Sequence, residues 1–185
     1  GHHGDAPVTS SRRARYLVGS VAVALAVGAA ALVAVTGGGG DDGDATTDGA
    51  GGVAGEFELL DGGTGEFADY RGTPLVINFF ASWCPPCIAE MPDFEAVHQD
   101  VGDDVAFLGL NMQDGPDSGR RLVEQTGITY DVGRDPDGIL FQAFGGIAMP
   151  TTVFVDADGQ VVEVYSGALT ADALRDRVTD LLRSS

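Results

Sequence analysis

The chain contains two cysteines, Cys84 and Cys87, with only Pro85 and Pro86 between them. A pair this close admits three kinds of chemistry: an inert buried pair, metal ligation, or thiol-disulfide exchange. Two cysteines are too few for a disulfide-stapled scaffold, and the loop they close is too short for a structural bridge. A structural zinc site takes about four ligands, yet there is no second cysteine pair, and the histidines are only His2, His3 and His98. His98 stands eleven residues beyond Cys87, about 16 Å along a helix, and reads as a surface residue. No metal site is expected from this ligand set, and redox exchange is the better reading.

The surroundings of the pair support that choice. Pro74 to Phe80 is a short continuous apolar run, the pattern of a strand buried on both faces. Trp83-Cys84-Pro85-Pro86-Cys87 follows it directly and opens a helical stripe of Ile88, Met91, Phe94 and Val97. At such a junction the first sulfur meets the unpaired N–H groups and dipole of a helix N-terminus, which favour the thiolate. Cys84 is therefore the expected attacking sulfur, and Cys87, one turn in, the one that resolves a mixed disulfide. Pro85 and Pro86 suit a first helical turn, where missing donors cost little, and they stiffen the redox loop. Trp83 is expected to offer an apolar surface to a substrate. Pro92 falls inside the helical stripe and should bend it.

The remaining elements are legible from pattern. Val105 to Leu110 reads as a second buried strand, and Glu56 to Leu60 as a strand at the edge. Thr151 to Val155 and Val161 to Tyr165 form a hairpin across Asp156-Ala157-Asp158-Gly159. Leu122 and Val123 mark a helix closed by Gly127. Thr170 caps a last helix running to Arg183, with Asp172 in its first turn and Leu174, Val178, Leu181 and Leu182 on one face. Strands alternating with helices, then a hairpin and a helix, predict an α/β sandwich around a central mixed sheet.

The segments Val76-Ile-Asn-Phe-Phe-Ala-Ser-Trp-Cys-Pro-Pro-Cys-Ile-Ala-Glu-Met-Pro92 and Met149-Pro150-Thr-Thr-Val-Phe-Val-Asp-Ala-Asp-Gly159, with Gly167 after them, closely resemble the TlpA/ResA branch of the thioredoxin superfamily, a redoxin (AhpC/TSA-like) domain. The resemblance runs from Phe57 to Leu182. It implies a thioredoxin-like fold outside the cytoplasm that reduces protein disulfides, often those of apocytochrome c or of copper-site proteins. It also implies a cis bond before Pro150 and a substrate segment lying along Met149, Pro150 and Thr151. Glu90 matches a glutamate that this branch keeps near its thiols. Three residues from Cys87 it shares a helix face with it, where a carboxylate could accept a proton or raise the thiol pKa values, unless it is merely solvated. Asn78 occupies the position at which thioredoxins proper have a buried aspartate, which leaves Glu90 as the available base.

Composition sets the context. The 185 residues carry 28 acids against ten arginines and no lysine, a formal charge of −18. From Ala54 onward there are 23 acids and seven arginines, so nucleic acid is a poor partner. We read the acidity as a solvated surface. Leu17 to Val35 is uncharged and apolar and follows Arg12, Arg13 and Arg15; as a helix it would reach about 28 Å. We read residues 1–16 as a cytoplasmic tail and 17–35 as a membrane anchor in preference to a cleaved signal, whose apolar stretch is usually about 7 to 15 residues. Residues 36–55, rich in Gly and Asp, read as a flexible linker, and 56–185 as the exported domain. The expected partners are the bilayer, a membrane thiol donor and disulfide-containing exported proteins. The chemistry needs no cofactor beyond the Cys84–Cys87 disulfide. A disulfide-forming oxidase and a Cu(I) carrier use the same thiols and remain alternatives.

Overall fold

In a computed structural model of the chain, residues 52–184 are described. Seven strands form one sheet: β1 (Glu56–Leu59), β2 (Thr64–Glu66), β3 (Leu75–Phe80), β4 (Ala106–Met112), β5 (Asp131–Asp135), β6 (Thr151–Val155) and β7 (Val161–Ser166). Their spatial order is β2-β1-β5-β4-β3-β6-β7. β3, β4 and β5 run parallel, and the pairs β1–β5, β3–β6 and β6–β7 are antiparallel. The helices are α1 (Pro85–Val101), α2 (Pro116–Thr126), α3 (Ile139–Ala143) and α4 (Ala171–Ser184).

β3 lies near the middle because its side chains are apolar in both directions. Val76 and Phe80 point into a core built with Met91, Phe94 and Val97 of α1, Leu122 of α2 and Leu174, Val178 and Leu181 of α4. Leu75, Ile77 and Phe79 point into a second core with Phe57, Phe67, Leu140 and Phe144. All six β3 residues are buried, as a strand covered on both faces requires. The hairpin of β6 and β7 forms as read. Gly127, left-handed with φ 72°, ends α2 and donates its N–H to the Val123 carbonyl, a conformation costly for any residue with a Cβ. The Thr170 hydroxyl caps α4 by accepting from the Ala173 N–H at 3.3 Å.

Several expectations are corrected. The strand at Glu56 is not an edge, because β2 pairs along its outer side. β5 and α3 had not been anticipated. Residues 52–55, assigned to the linker, are folded: Val53 is buried, its N–H bonds to the Gly159 carbonyl, and Arg71 holds its carbonyl. His98 is not a surface residue, since its half-buried ring packs on Phe107 and Tyr130 at centroid distances of 5.3 and 5.6 Å. Pro92 does lie inside α1, as its place in the helical stripe predicts. The anticipated anchor at 17–35 lies outside the described residues. Among the described residues, no helix is long and apolar enough to cross a membrane.

Candidate active site

The parallel strands β3, β4 and β5 end on one edge of the sheet, and the loops leaving them build the site. β3 runs out at Phe80, and a turn closed by the Cys84 N–H on the Ala81 carbonyl, at 3.2 Å, delivers the chain to α1. Cys84 is the N-cap of that helix, and its sulfur accepts from the Cys87 N–H at 3.3 Å. The sulfurs form a disulfide with the Cα atoms 5.3 Å apart. Pro85 and Pro86 occupy the first helical positions, where their lack of N–H is harmless. The dipole and unpaired donors of a seventeen-residue helix thus converge on Cys84. Cys87 is completely buried and Cys84 nearly so. Trp83 beside them is 52% exposed, leaving an indole face open to a partner.

Glu90 is not a solvated glutamate. It is buried to 3% exposure, facing the sheet. One oxygen accepts from the Asn78 side-chain amide at 2.9 Å and the other from the Leu169 N–H at 2.9 Å. Loss of hydration raises its pKa to about 7; the two hydrogen bonds pull it down, and the charge of Asp93 adds to the rise. A carboxyl that titrates near neutrality, one helical turn behind a buried sulfur, is suited to proton transfer.

The Met149–Pro150 peptide is cis. Pro150 is buried, and its carbonyl accepts from the Gly167 N–H at 2.9 Å. Met149 is half-buried against both cores. Thr151, expected to touch substrate, does not present its side chain: it is fully buried, and its hydroxyl donates to the Ala148 carbonyl at 2.6 Å. It holds the loop before Pro150 from behind. That loop instead exposes Ile147, at 86% the most open large apolar residue of the described chain. Neither Ile147 nor the Asp114 carboxylate that binds Ser82 belongs to a sequence pattern, and nothing in the sequence singles them out. Among the described residues, no group of three or more His, Cys, Asp or Glu side chains could hold a metal.

A mixed sheet with a cysteine pair capping the helix after its central strand, and an X–Pro loop on the adjoining antiparallel strand, defines a thiol-disulfide oxidoreductase of thioredoxin-like fold. Residues 50–164 match the AhpC/TSA family, and the chain belongs to that family. It is 29% identical over 180 residues to the thiol-disulfide oxidoreductase ResA of Oceanobacillus iheyensis, covering 92% of this chain and 91% of that protein. Among solved structures it is similar to MTB dsbF, with TM-score 0.64 and 31% identity over 68% of this chain and 93% of the other. A secreted Mycobacterium tuberculosis disulfide oxidoreductase homologous to E. coli DsbE gives TM-score 0.63 and 26% identity over 68% and 95%. The enzyme is thus a thiol-disulfide oxidoreductase of the ResA and DsbE type.

The burial of Glu90 has a consequence for stability. Its folded pKa, about 7, lies above the ordinary 4.5, so its contribution is fully present below about pH 4.5 and is lost as pH rises to about 7. In urea unfolding, the stability of the wild type relative to Glu90→Gln should decline across that window, by about 3 kcal/mol. Parallel pH profiles of the two proteins would refute a buried, late-titrating carboxyl.

Proposed function

We propose that the chain is an exported, membrane-held reductase that opens disulfides of extracytoplasmic proteins, apocytochrome c or copper-site proteins among them. The observation that carries the reading is the buried Glu90, titrating near neutrality on the Cys87 face of α1. In the reduced enzyme the Cys84 thiolate attacks one sulfur of the substrate disulfide. That bond breaks, a mixed disulfide forms, and the leaving sulfur takes up a proton. Glu90 removes the proton of Cys87, whose thiolate then attacks the Cys84 sulfur. Glu90 passes the Cys87 proton to the second leaving sulfur and solvent supplies the other proton, so the substrate departs as a dithiol that has gained two electrons from the enzyme pair. A membrane thiol donor returns the enzyme to its dithiol form.

Trp83, Met149 and the Ile147 loop form the surface on which the substrate segment lies. Residues 17–35 anchor the chain with its N-terminus inside, a reading supported by their uncharged apolar run and the preceding arginines; likeness to a secreted oxidoreductase supports export of the domain. If so, a membrane-impermeant maleimide added to intact, pre-reduced cells will label the cysteines. Labelling only after lysis would refute export.

Direction of electron flow is decided by the midpoint potential of the full-length chain in thiol-disulfide buffers, followed through Trp83, its one tryptophan. A value near −270 mV, about that of thioredoxin, is expected; one near −120 mV would make the protein an oxidant. Glu90→Gln should lower the thiol pKa values and slow the resolving step about a hundredfold. An unchanged thiol titration would remove Glu90 from the mechanism.

A further inference from the structure

Asp114 sits in the loop between β4 and α2, thirty residues after Cys84 in sequence, with its half-buried carboxylate turned to the redox turn. Oδ2 accepts from the Ser82 backbone N–H at 2.6 Å, and Oδ1 from the Ser82 hydroxyl at 2.7 Å. The side-chain amide of Asn111 donates to Oδ2 as well, at 2.9 Å. Asn111 is buried in β4 opposite Phe80, the last residue of β3, so the sheet fixes the donor that orients this carboxylate. Between them Gln113 takes a left-handed conformation, φ 51°, and bonds its N–H to the Asp135 carbonyl at 3.0 Å. The turn of chain that presents Asp114 is therefore held from the neighbouring strand too.

Ser82 is the second residue of the turn that carries Cys84. Past Phe80 the ladder between β3 and β4 has ended, so the Ser82 N–H needs another acceptor. Asp114 supplies it and grips the same residue again through the hydroxyl. Charge-assisted bonds of this kind are the strong ones, and two on one residue restrict both its position and its rotation.

We propose that Asp114 is a positioning residue of the redox site: its two-point hold on Ser82 fixes the Ala81–Cys84 turn against β4 and so sets where the Cys84 sulfur stands over the N-terminus of α1. The inference rests on the reading of Cys84 as the attacking thiol and deepens it. Stabilisation by a helix terminus falls off within a turn, so a sulfur that drifts from the Cys87 N–H loses thiolate character. Releasing the turn raises the Cys84 pKa. Removing a nearby negative charge would by itself lower it, and this difference in sign separates geometry from charge.

The test uses the full-length reduced chain and a small aromatic disulfide, following thiolate absorbance against pH and the rate of the first attack. Asp114→Ala should raise the Cys84 pKa and slow the attack at neutral pH about tenfold. Asp114→Asn, which keeps one acceptor oxygen, should recover most of the rate. Ser82→Ala keeps the backbone bond and should slow the attack less. Combined with Asp114→Ala it should add less than its separate effect, since the two remove one linkage. A pKa that falls equally in Asp114→Ala and Asp114→Asn would overturn the proposal in favour of charge alone. Unchanged pKa and rate beside a lowered unfolding midpoint would reduce Asp114 to a structural role. If Asp114→Ala does not fold, Ser82→Ala decides, and an unaltered rate there overturns the proposal. Because the probe is a small disulfide, these readouts stand whichever way electrons flow in the cell and whichever protein is the substrate.

Discussion

Burying the carboxylate of Glu90 beneath the cysteine pair is the costly step around which this end of the molecule is built. An unpaired carboxylate loses several kcal/mol on leaving water, and here no cation offsets it. Among the described arginines, Arg120, Arg134, Arg175, Arg177 and Arg183 pair with Asp117, Glu58, Asp100, Asp172, Glu163 and Asp180, while Arg71 bonds the Val53 and Asp158 carbonyls and Arg121 the Ser118 hydroxyl, all away from Glu90. Two neutral donors take their place: the Asn78 amide, rooted in the central strand, and the Leu169 N–H, in the segment leading into α4. Asp93, one turn further along α1, accepts from the Ala171 N–H at 3.1 Å. Two carboxylates on α1 thus hold the start of α4, and the same bonds that make Glu90 tolerable dock the terminal helix. An aspartate at position 78 would set a second negative charge against Glu90 and drive both pKa values up. Asparagine is the residue that can donate at that position, although its own Oδ1, and the hydroxyl of Thr152 opposite it on β6, find no hydrogen-bond partner. Leaving buried polar atoms unpaired is costly, and one of these two belongs to the side chain that bonds the titrating Glu90.

The sheet explains why the site lies where it does. Three parallel strands in adjacent positions require crossovers, and α1 and α2 both return on the face that buries Met91, Phe94 and Leu122. All three strands therefore end on one edge, and their outgoing loops meet there: the Ala81–Cys84 turn, the Asp114 loop and the Asp135 turn. Asp135 is itself buried, accepting from the N–H groups of Leu140 and Phe141 at 3.1 and 2.8 Å, and so caps α3. The antiparallel β6 enters at the same edge and brings the Met149–Pro150 loop alongside β3. Phe141, in α3, packs edge-on against Phe79 at 5.5 Å, which secures the segment that presents Ile147. The cysteine turn and the Asp114 loop are thus tied to the strand ends by hydrogen bonds, while the apolar contact surface lies on the loop that exposes Ile147.

What could be read from the sequence followed the strength of local signals. The cysteine pair, the continuous apolar β3, the β6–β7 hairpin with its Asp-Gly turn and the capped α4 each announce themselves within a short window. β5 did not, because Asp131-Val-Gly-Arg-Asp135 has one apolar side chain and a glycine required by close packing: a Cβ on Gly133 would come within 2.5 Å of Phe57. α3 is five residues long, too short for a helical period to show. β2 is held by pairing with β1 and has no apolar pattern of its own. His98 looked like a surface residue because its partners, Phe107 and Tyr130, come from β4 and from the segment before β5. Thr151 was legible as part of a motif but not as a buried side chain, since a motif places a residue in sequence and only the sheet register decides which face it takes.

The electrostatics of the pair set two opposing influences on its potential. Stabilising the Cys84 thiolate by the α1 N-terminus favours the reduced form and makes a disulfide more oxidising. A negative charge behind Cys87 disfavours thiolates and acts in the reducing direction. In this protein the helix effect is constant, whereas that of Glu90 changes with its protonation near neutral pH. When Glu90 is ionised the disulfide is favoured and the dithiol is the better electron donor; when it is protonated the repulsion disappears. In the mechanism we propose, proton transfer from Cys87 to Glu90 therefore does more than prepare a nucleophile. It removes the charge that opposed the Cys87 thiolate at the moment that thiolate forms, so the group that makes the dithiol reducing does not hinder its own resolving step.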